Sequence, residues 1–355
     1  MKKKLLMIKT NINKPLILNL TREKDKKIFK ELKKMGVEIV DKYDLLLQEL
    51  NKCSPKQSIK RIDDVWIYYP WHQKLVHSLS EPYFYLIKTS RNLGLITKSE
   101  QKNIKNFRIG IVGLNVGNPL AMALAFQGFT KFKIADNDTF ELSNLNRLAA
   151  GLKFLDVGEN KTILCLRHIY DINPFCEVIP YPEGISEKNL VEFLVKPKVD
   201  ILVEEIDNLV LKIKIRELAK KYRIPVIMAT GNESDVILDI ERYDLNPRLK
   251  ILNGFLNDET RNKILNLDKL NLTEKEKILL IRNFIGSKFL SSRLNKSFML
   301  LSKKMIRGIP QLSEVSFLRA AVLTLVIKQF ALRKKIESGR YIIKISNFRE
   351  TRILI

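Results

Sequence analysis

One segment near the middle of the chain constrains the fold more than any other. An apolar strand pattern, Arg108 to Val112, runs directly into a glycine turn, G-L-N-V-G at Gly113 to Gly117. Strand and helix patterns then alternate as far as about Met228. Such alternation favours a mainly parallel sheet with helices on both faces. The sequence therefore predicts a doubly wound, Rossmann-like α/β domain.

The boundaries of this alternation can be predicted from the apolar periodicity. We expect four further strands, at Phe132 to Ala135, Glu177 to Ile179, Ile201 to Glu204 and Pro225 to Ala229. We expect helices at Pro119 to Gly128, Lys161 to Asp171, Glu187 to Leu194 and Leu211 to Tyr222. After Asp239 the pattern becomes helical and irregular, with a long helix from Glu314 to Lys334 and a last strand from Tyr341 to Ile345.

The glycine turn is suited to a nucleotide. Between a strand and a helix, the backbone N–H groups around Gly113 and Gly117 and the helix N-terminus can hold a phosphate. Asp136 closes the next strand 19 residues after Gly117, close to the spacing at which a carboxylate reaches a ribose hydroxyl. The full G-x-G-x-x-G pattern is absent. A tight packing turn without a ligand therefore stays open as an alternative.

Polar residues after the strands add groups for phosphate chemistry. The second strand continues into A-D-N-D-T-F-E-L-S-N-L-N-R, which places Asn144 and Arg147 near the same crevice. Arg147 offers a planar, permanently charged fork for phosphate oxygens. Lys161 stands at a predicted helix start, where an ammonium can meet the charge that develops at phosphorus. Asp207 follows another strand and can hold Mg²⁺.

At these residues the sequence resembles the ThiF/MoeB superfamily of adenylating enzymes, which are related to ubiquitin-activating enzymes. The match extends from about Arg91 to Asp244 and includes D-x-D-x-x-x-x-S-N-L-N-R, V-G-x-x-K, I-N-P and I-D-N. The motifs Y-Y-P-W, R-N-L-G-L-I-T, L-V-E-E-I-D and D-I-E-R-Y-D make it most similar to a branch often fused to nitroreductase-like domains.

The resemblance implies a role for each candidate residue. Asp136 would bind the ribose of ATP, Asp207 would hold magnesium, and the triphosphate would contact Asn144, Arg147 and Lys161. The reaction implied is attack of a carboxylate on the α-phosphate of ATP, which gives an acyl adenylate and pyrophosphate.

The resemblance also implies a homodimer. Arg91 matches an arginine that precedes the nucleotide fold of the family and reaches into the site of the partner subunit. A homodimer is therefore expected.

The cysteines separate this chain from other members of the superfamily. Cys53, Cys165 and Cys176 form no C-x-x-C pair, so no zinc is expected. No cysteine follows Cys176, so the thioester-forming cysteine of ubiquitin-type activation has no candidate in its usual region. We expect Cys165 and Cys176 to be core residues, and the enzyme to stop at the adenylate or to pass it to an external nucleophile. The glycine turn is also one residue shorter than is usual in the family.

The distribution of charge along the chain and the strand and helix patterns together predict three domains. These are a small α/β unit with a connecting helix (1–106), an ATP-binding adenylation domain (107–250) and a helical extension with a final strand (251–355). Their net charges are +12, −1 and +13. The basic flanks could attract an acidic protein, a tRNA or another polyanion. A lysine-rich coding bias that produces solvated faces explains them equally well.

The leading interpretation is an ATP-dependent adenylyltransferase that acts on the C-terminus of a peptide or ubiquitin-like protein. A tRNA-modifying, dehydratase-like adenylating enzyme and a non-catalytic nucleotide-binding scaffold remain alternatives. No apolar run approaches the length of a membrane span, and M-K-K-K is followed by too few apolar residues for a signal peptide. We therefore expect a cytoplasmic protein without membrane contact.

Overall fold

The computed structural model describes residues 11–53, 62–147 and 153–345, with the side chain of Asp268 excepted. The chain divides into two compact units. One unit contains residues 1–106, 125–130 and 166–177, and the other contains 107–124, 131–165 and 178–355. The three-domain division proposed from sequence stays a prediction, although segments 178–250 and 251–345 belong to the same unit.

The first unit is built on a sheet of four strands among its described residues. The strands are β1 (Leu16–Leu18), β2 (Glu38–Asp41), β3 (Asp64–Tyr69) and β4 (Lys74–Leu79), in the order β1-β3-β4-β2. In this sheet β2 pairs in parallel with β4, whereas β3 pairs antiparallel with both β1 and β4. The aromatic W-I-Y-Y-P-W segment packs inside this unit: Trp66 stacks on His77, and the Trp71 indole donates to Asp171 at 2.9 Å.

The second unit contains a sheet of seven strands among the described residues. They are β5 (Arg108–Val112), β6 (Lys131–Ala135), β7 (Glu177–Tyr181), β8 (Ile201–Glu204), β9 (Val226–Asn232), β10 (Asp235–Glu241) and β11 (Gly339–Ile343). The order is β11-β10-β9-β8-β5-β6-β7. Strand β5 pairs in parallel with β6 and β8, and β8 in parallel with β9. The predicted α/β class and Rossmann-like sheet are therefore confirmed.

Helices connect and follow these strands. Those before β8 are α1 (Glu23–Lys34), α2 (Tyr43–Cys53), α3 (Glu81–Lys88), α4 (Lys98–Asn106), α5 (Leu114–Gln127), α6 (Lys161–Ile172) and α7 (Leu190–Val195). Those after β8 are α8 (Leu209–Tyr222), α9 (Asp258–Leu265), α10 (Glu274–Ile285), α11 (Ser292–Ser302) and α12 (Ser313–Ala331). The spacing of Thr97 and Glu100, and of Thr273 and Glu276, predicts a capping box at two helix starts. Both form: Thr97 exchanges hydrogen bonds with Glu100, and Thr273 does so with Glu276.

Strand β10 is absent from the sequence prediction. Its residues pair antiparallel with β9 across a two-residue turn in which Glu233 has a φ of +63°. The strand has nearly every side chain buried, Asp239 and Glu241 included. It therefore lacks the polar and apolar alternation by which a half-exposed strand is recognised. Strand β11 then pairs antiparallel with β10, so the edge of the parallel sheet is extended by a hairpin and a strand from the C-terminal segment.

No helix in the described part of the chain combines the length and apolarity that crossing a membrane requires.

Candidate active site

The topology of the second unit creates a crevice at one end of β5. From β5 the chain moves outward to β6 and β7 and returns on the other side through β8 and β9. The loops that follow β5 and β8 consequently diverge to opposite sides. In open α/β sheets this reversal at the carboxyl ends of the strands is the usual position of a ligand site. Gly113 follows β5 here and Glu205 follows β8, so these two loops flank the crevice.

The glycine turn is tighter than the sequence suggested. The helix was expected to begin at Pro119, but α5 begins at Leu114, immediately after Gly113. Gly113 has a φ of +87°, and a Cβ on it would lie 2.4 Å from the carbonyl oxygen of Glu205. Glycine is therefore required where the β5 and β8 loops touch. Gly117 lies inside α5, where a Cβ would be 2.6 Å from Ile111, so it serves the contact between helix and strand.

Asp136 joins the second strand to the glycine turn. One carboxylate oxygen accepts a hydrogen bond from the Leu114 backbone at 2.6 Å, and the other accepts from the Asp138 backbone at 2.8 Å. Burial raises the pKa of this carboxyl, although both hydrogen bonds and Lys161 oppose that effect. Each oxygen keeps a free lone pair. Asp136 thus fixes the start of α5 and can still accept from a ribose hydroxyl.

Lys161 is oriented by a residue that the sequence analysis did not single out. The Lys161 ammonium forms an ion pair with Asp138 at 2.9 Å, and its backbone N–H donates to the Asp138 carbonyl. The side chain of Lys161 is only 6% exposed, whereas that of Asp138 is 59% exposed. The signal was present in the D-x-D spacing of Asp136 and Asp138. Lys161 is therefore held with its charge beside the carboxyl end of β6.

Asn144 and Arg147 lie in and after a short 3₁₀ helix, Leu142–Asn146. Asn144 is 4% exposed, and its side-chain oxygen accepts from the Glu141 backbone at 3.1 Å. This oxygen therefore caps the helix and does not face a ligand freely. The guanidinium of Arg147 donates to the Ser143 carbonyl at 3.0 Å.

The Arg147 guanidinium keeps unused binding capacity. Its Nε is buried and has no hydrogen-bond partner among the described residues. Burial lowers the pKa of the group, and the nearby carboxylates of Asp207 and Glu141 oppose that effect. A buried N–H without a partner is costly, so a ligand oxygen at this position would satisfy it.

Asp207 is the exposed carboxylate of the crevice. It lies in the loop between β8 and α8, immediately before Asn208, whose side chain caps α8 by accepting from Leu211 at 3.0 Å. In the described part of the chain no group of three or more His, Cys, Asp or Glu residues could hold a metal ion. A single carboxylate fits a magnesium ion that takes its other ligands from water and nucleotide phosphates.

Two sequence-predicted features lie elsewhere. Arg91 is an exposed residue of a 3₁₀ helix, Ser90–Asn92, in the first unit. Cys165 and Cys176 are buried, and burial raises the pKa of the Cys165 thiol and raises that of Cys176 to about 12. Neither is a thiolate at neutral pH, so neither suits nucleophilic catalysis.

Buried ion pairs support the β8 strand beneath the crevice. Glu204 is completely buried and pairs with Lys212 at 2.9 Å and with Arg216, which also donates to Glu241 at 2.8 Å. Burial alone would raise the pKa of Glu204, but Lys212 and Arg216 hold it below its usual range. In sequence, L-V-E-E-I-D and D-I-E-R-Y-D served only as signs of a resemblance. Glu204 and Glu205 of the first motif and Asp239 and Glu241 of the second are internal. Carboxylates inside apolar strands were the available signal.

The fold and the crevice together are those of an open α/β protein with a ligand crevice where the loops after β5 and β8 diverge. The ThiF family matches residues 89–238. tRNA threonylcarbamoyladenosine dehydratase of Bacillus subtilis is 30% identical over 177 residues, which cover 48% of this chain and 69% of that protein. The chain belongs to the ThiF family of adenylyltransferase-type enzymes, whose members use ATP.

Two further similarities bear on the length and the fold. An uncharacterised protein of Mycobacterium tuberculosis is 32% identical over 315 residues, which cover 88% of this chain and 42% of that protein. The chain thus spans less than half the length of this relative. The crystal structure of PaaA has a TM-score of 0.51 and 21% identity, with 75% of this chain and 78% of that one covered. That similarity supports the fold alone.

Proposed function

We propose that the protein is an ATP-dependent adenylyltransferase that activates the C-terminal carboxylate of a peptide or small protein. The proposal is supported by the charge interaction of Arg147 with Asp207 and by the position of Lys161, which pairs with Asp138 after β6. Two fixed cations and one exposed carboxylate suit a nucleotide triphosphate with its magnesium ion. A hydride-transfer enzyme would leave all three without a role.

In the proposed reaction a carboxylate oxygen of the substrate attacks the α-phosphorus of ATP. The new P–O bond forms as the bond from that phosphorus to the bridging oxygen breaks, and pyrophosphate leaves with the electron pair. Lys161, held by Asp138, and Arg147, whose buried Nε has no partner among the described residues, would stabilise the negative charge on the phosphate oxygens. Magnesium, when bound at Asp207, would neutralise charge on the leaving pyrophosphate. Asp136 would orient the ribose.

The adenylate would pass to an external nucleophile. Cys165 and Cys176 are buried thiols with raised pKa values, which argues against a thioester on either. The test of the proposed function is ATP–pyrophosphate exchange by the full chain with a panel of peptides that have free C-termini. Exchange that requires a free carboxylate would support it. ATP binding without exchange for any peptide would favour the non-catalytic scaffold instead.

A second candidate is adenylation of a modified tRNA base. Its support is the name of the Bacillus subtilis relative, a tRNA-modifying dehydratase, together with the strongly basic segments 1–106 and 251–355. Exchange stimulated by tRNA but not by peptides, with affinity that falls steeply with salt, would favour this function over the first. The membership of a nitroreductase-fused branch and the cytoplasmic location remain predictions.

We also propose that the protein forms a homodimer through the segment around Arg147. The side chains of Leu145, Phe154 and Leu155 are 37%, 69% and 86% exposed. Apolar side chains so exposed beside a site are typical of an interface. Leu155→Asp is expected to shift the mass measured by light scattering from dimer to monomer. Leu245→Asp, a change at another exposed leucine (68%), should leave it unchanged. A wild-type monomer at tens of micromolar would contradict the proposal.

A further inference from the structure

The C-terminal helix α12 contacts the loop that carries Asp207. The guanidinium of Arg319 donates to the Glu205 carboxylate at 2.6 Å and to the Ala229 carbonyl at 2.6 Å. The other oxygen of Glu205 accepts from the Ala229 backbone at 2.8 Å. Arg319 therefore joins the carboxyl end of β8 to β9 through hydrogen bonds that are almost shielded from solvent, with side chains 11% and 4% exposed.

The opposite side of the same loop lies against the glycine turn. The Glu205 backbone donates to Val112 at 2.8 Å, and its carbonyl is the atom that excludes a Cβ on Gly113. The loop is therefore held between the glycine turn and Arg319. Asp207 follows Glu205 by two residues and is exposed. The position of its carboxylate is thus set by a short backbone segment fixed on both sides.

The same helix also reaches the other side of the crevice. The Ser316 hydroxyl donates to the Arg147 carbonyl at 2.7 Å. Just before the helix, the Gln311 carbonyl accepts from the Asn146 side chain at 3.0 Å. Helix α12 also packs closely on β9, since a Cβ on Gly231 would lie 3.0 Å from Val315. One helix of the C-terminal segment thus contacts both loops that carry the proposed phosphate and magnesium groups.

We propose that Arg319 is a positioning residue of the active site, which places Asp207 for magnesium through Glu205. This inference rests on the proposed function, because Asp207 is a magnesium ligand only in that proposal. Substitution of a residue that orients a metal ligand without binding the metal itself commonly lowers metal affinity by about 10- to 100-fold. Loss of Arg319 would also leave Glu205 as a buried carboxylate without its cation.

A purely structural role for Arg319 is separated from a positioning role by a matched control. Arg340 forms a comparable buried pair in the same unit, donating to Asp239 at 2.8 and 2.9 Å with side chains 1% and 0% exposed. That pair joins β11 to β10, at the far edge of the sheet. Arg319→Met and Arg340→Met should therefore lower the melting temperature to a similar degree. Only the first should alter magnesium-dependent binding.

The experiment measures ATP affinity of the full chain by calorimetry, with and without Mg²⁺. In the wild type, Mg²⁺ is expected to strengthen ATP binding, and Asp207→Asn should abolish that gain. Arg319→Met should reduce the gain about tenfold, whereas Arg340→Met should retain it. Arg319→Lys, which keeps the charge but not the fork to Ala229, should give an intermediate gain. If Arg319→Met does not fold, the Arg319→Lys variant is used for the test instead.

The outcomes separate the two proposals. A wild-type chain that binds no ATP would overturn the proposed function and the inference with it. An Asp207→Asn variant that keeps the full Mg²⁺ gain would overturn the magnesium assignment and, with it, the role of Arg319. Loss of the gain in Asp207→Asn but not in the Arg319 variants would overturn the inference alone, as would an equal loss in Arg340→Met.

Discussion

Arg147→Ala is expected to lower the rate of ATP–pyrophosphate exchange by about 10²-fold or more. The guanidinium is half-buried at the crevice, and its Nε has no partner among the described residues. Its Nη1 donates to the Ser143 carbonyl and to the Asn146 side chain. Removing it deletes a charge that the proposed function assigns to the phosphate oxygens. ATP affinity measured by calorimetry should fall in parallel.

The control for this change is Arg293→Ala. Arg293 is 85% exposed and makes a long ion pair of 3.4 Å with Glu233 in the same unit, so its removal deletes an exposed charge. Exchange should stay within twofold of the wild-type rate, since exposed ion pairs contribute about 0 to 1 kcal/mol. Arg147→Lys should recover part of the lost rate because it restores charge without the planar fork. Full exchange by Arg147→Ala would refute the assignment.

Gly113→Ala is expected to destabilise the protein more than any other glycine substitution in the crevice. The added Cβ would meet the Glu205 carbonyl oxygen at 2.4 Å and the Ile206 nitrogen at 2.8 Å, which are backbone atoms held by the sheet. The φ of +87° adds backbone strain. Together these effects should lower the free energy of unfolding by about 3 kcal/mol or more, measured by urea denaturation.

Gly158→Ala is the control that introduces backbone strain without a steric clash. Gly158 has a φ of +95°, and nothing lies within 4 Å of a Cβ built on it. Its substitution should therefore cost only the strain, about 1 to 3 kcal/mol. The difference between the two variants measures the close approach of the β5 and β8 loops. Equal destabilisation would mean that these loops do not touch in solution.

The parts of the fold that local pattern governs were predictable from sequence. Strand β5 has the bounds expected from its apolar run, and both capping boxes form as their spacing predicts. The topology then follows, because the carboxyl ends of parallel strands share one edge of the sheet. The loops of Gly113 and Asp207 follow two such strands, so they lie at one edge of the sheet.

What could not be predicted depends on contacts between residues far apart in the chain. Strand β10 is buried on both faces through neighbours that include β11, so its own sequence shows no alternation. The pairing of Lys161 with Asp138 and the capping role of Asn144 depend on which way each side chain points. The ion pairs of Glu204 and Arg216 look like surface charges in sequence and are internal in the structure.

Helix α12 has a consequence for how the protein is made. Ser316 and Arg319 contact Arg147 and Glu205 at sequence separations of 169 and 114 residues. The loops of Arg147 and Asp207 are therefore synthesised well before the helix that contacts them. Until then a nascent chain would present the phosphate-binding groups without their final support. Under the proposed function, ATP would therefore be bound with full affinity only by chains that have been synthesised past this helix.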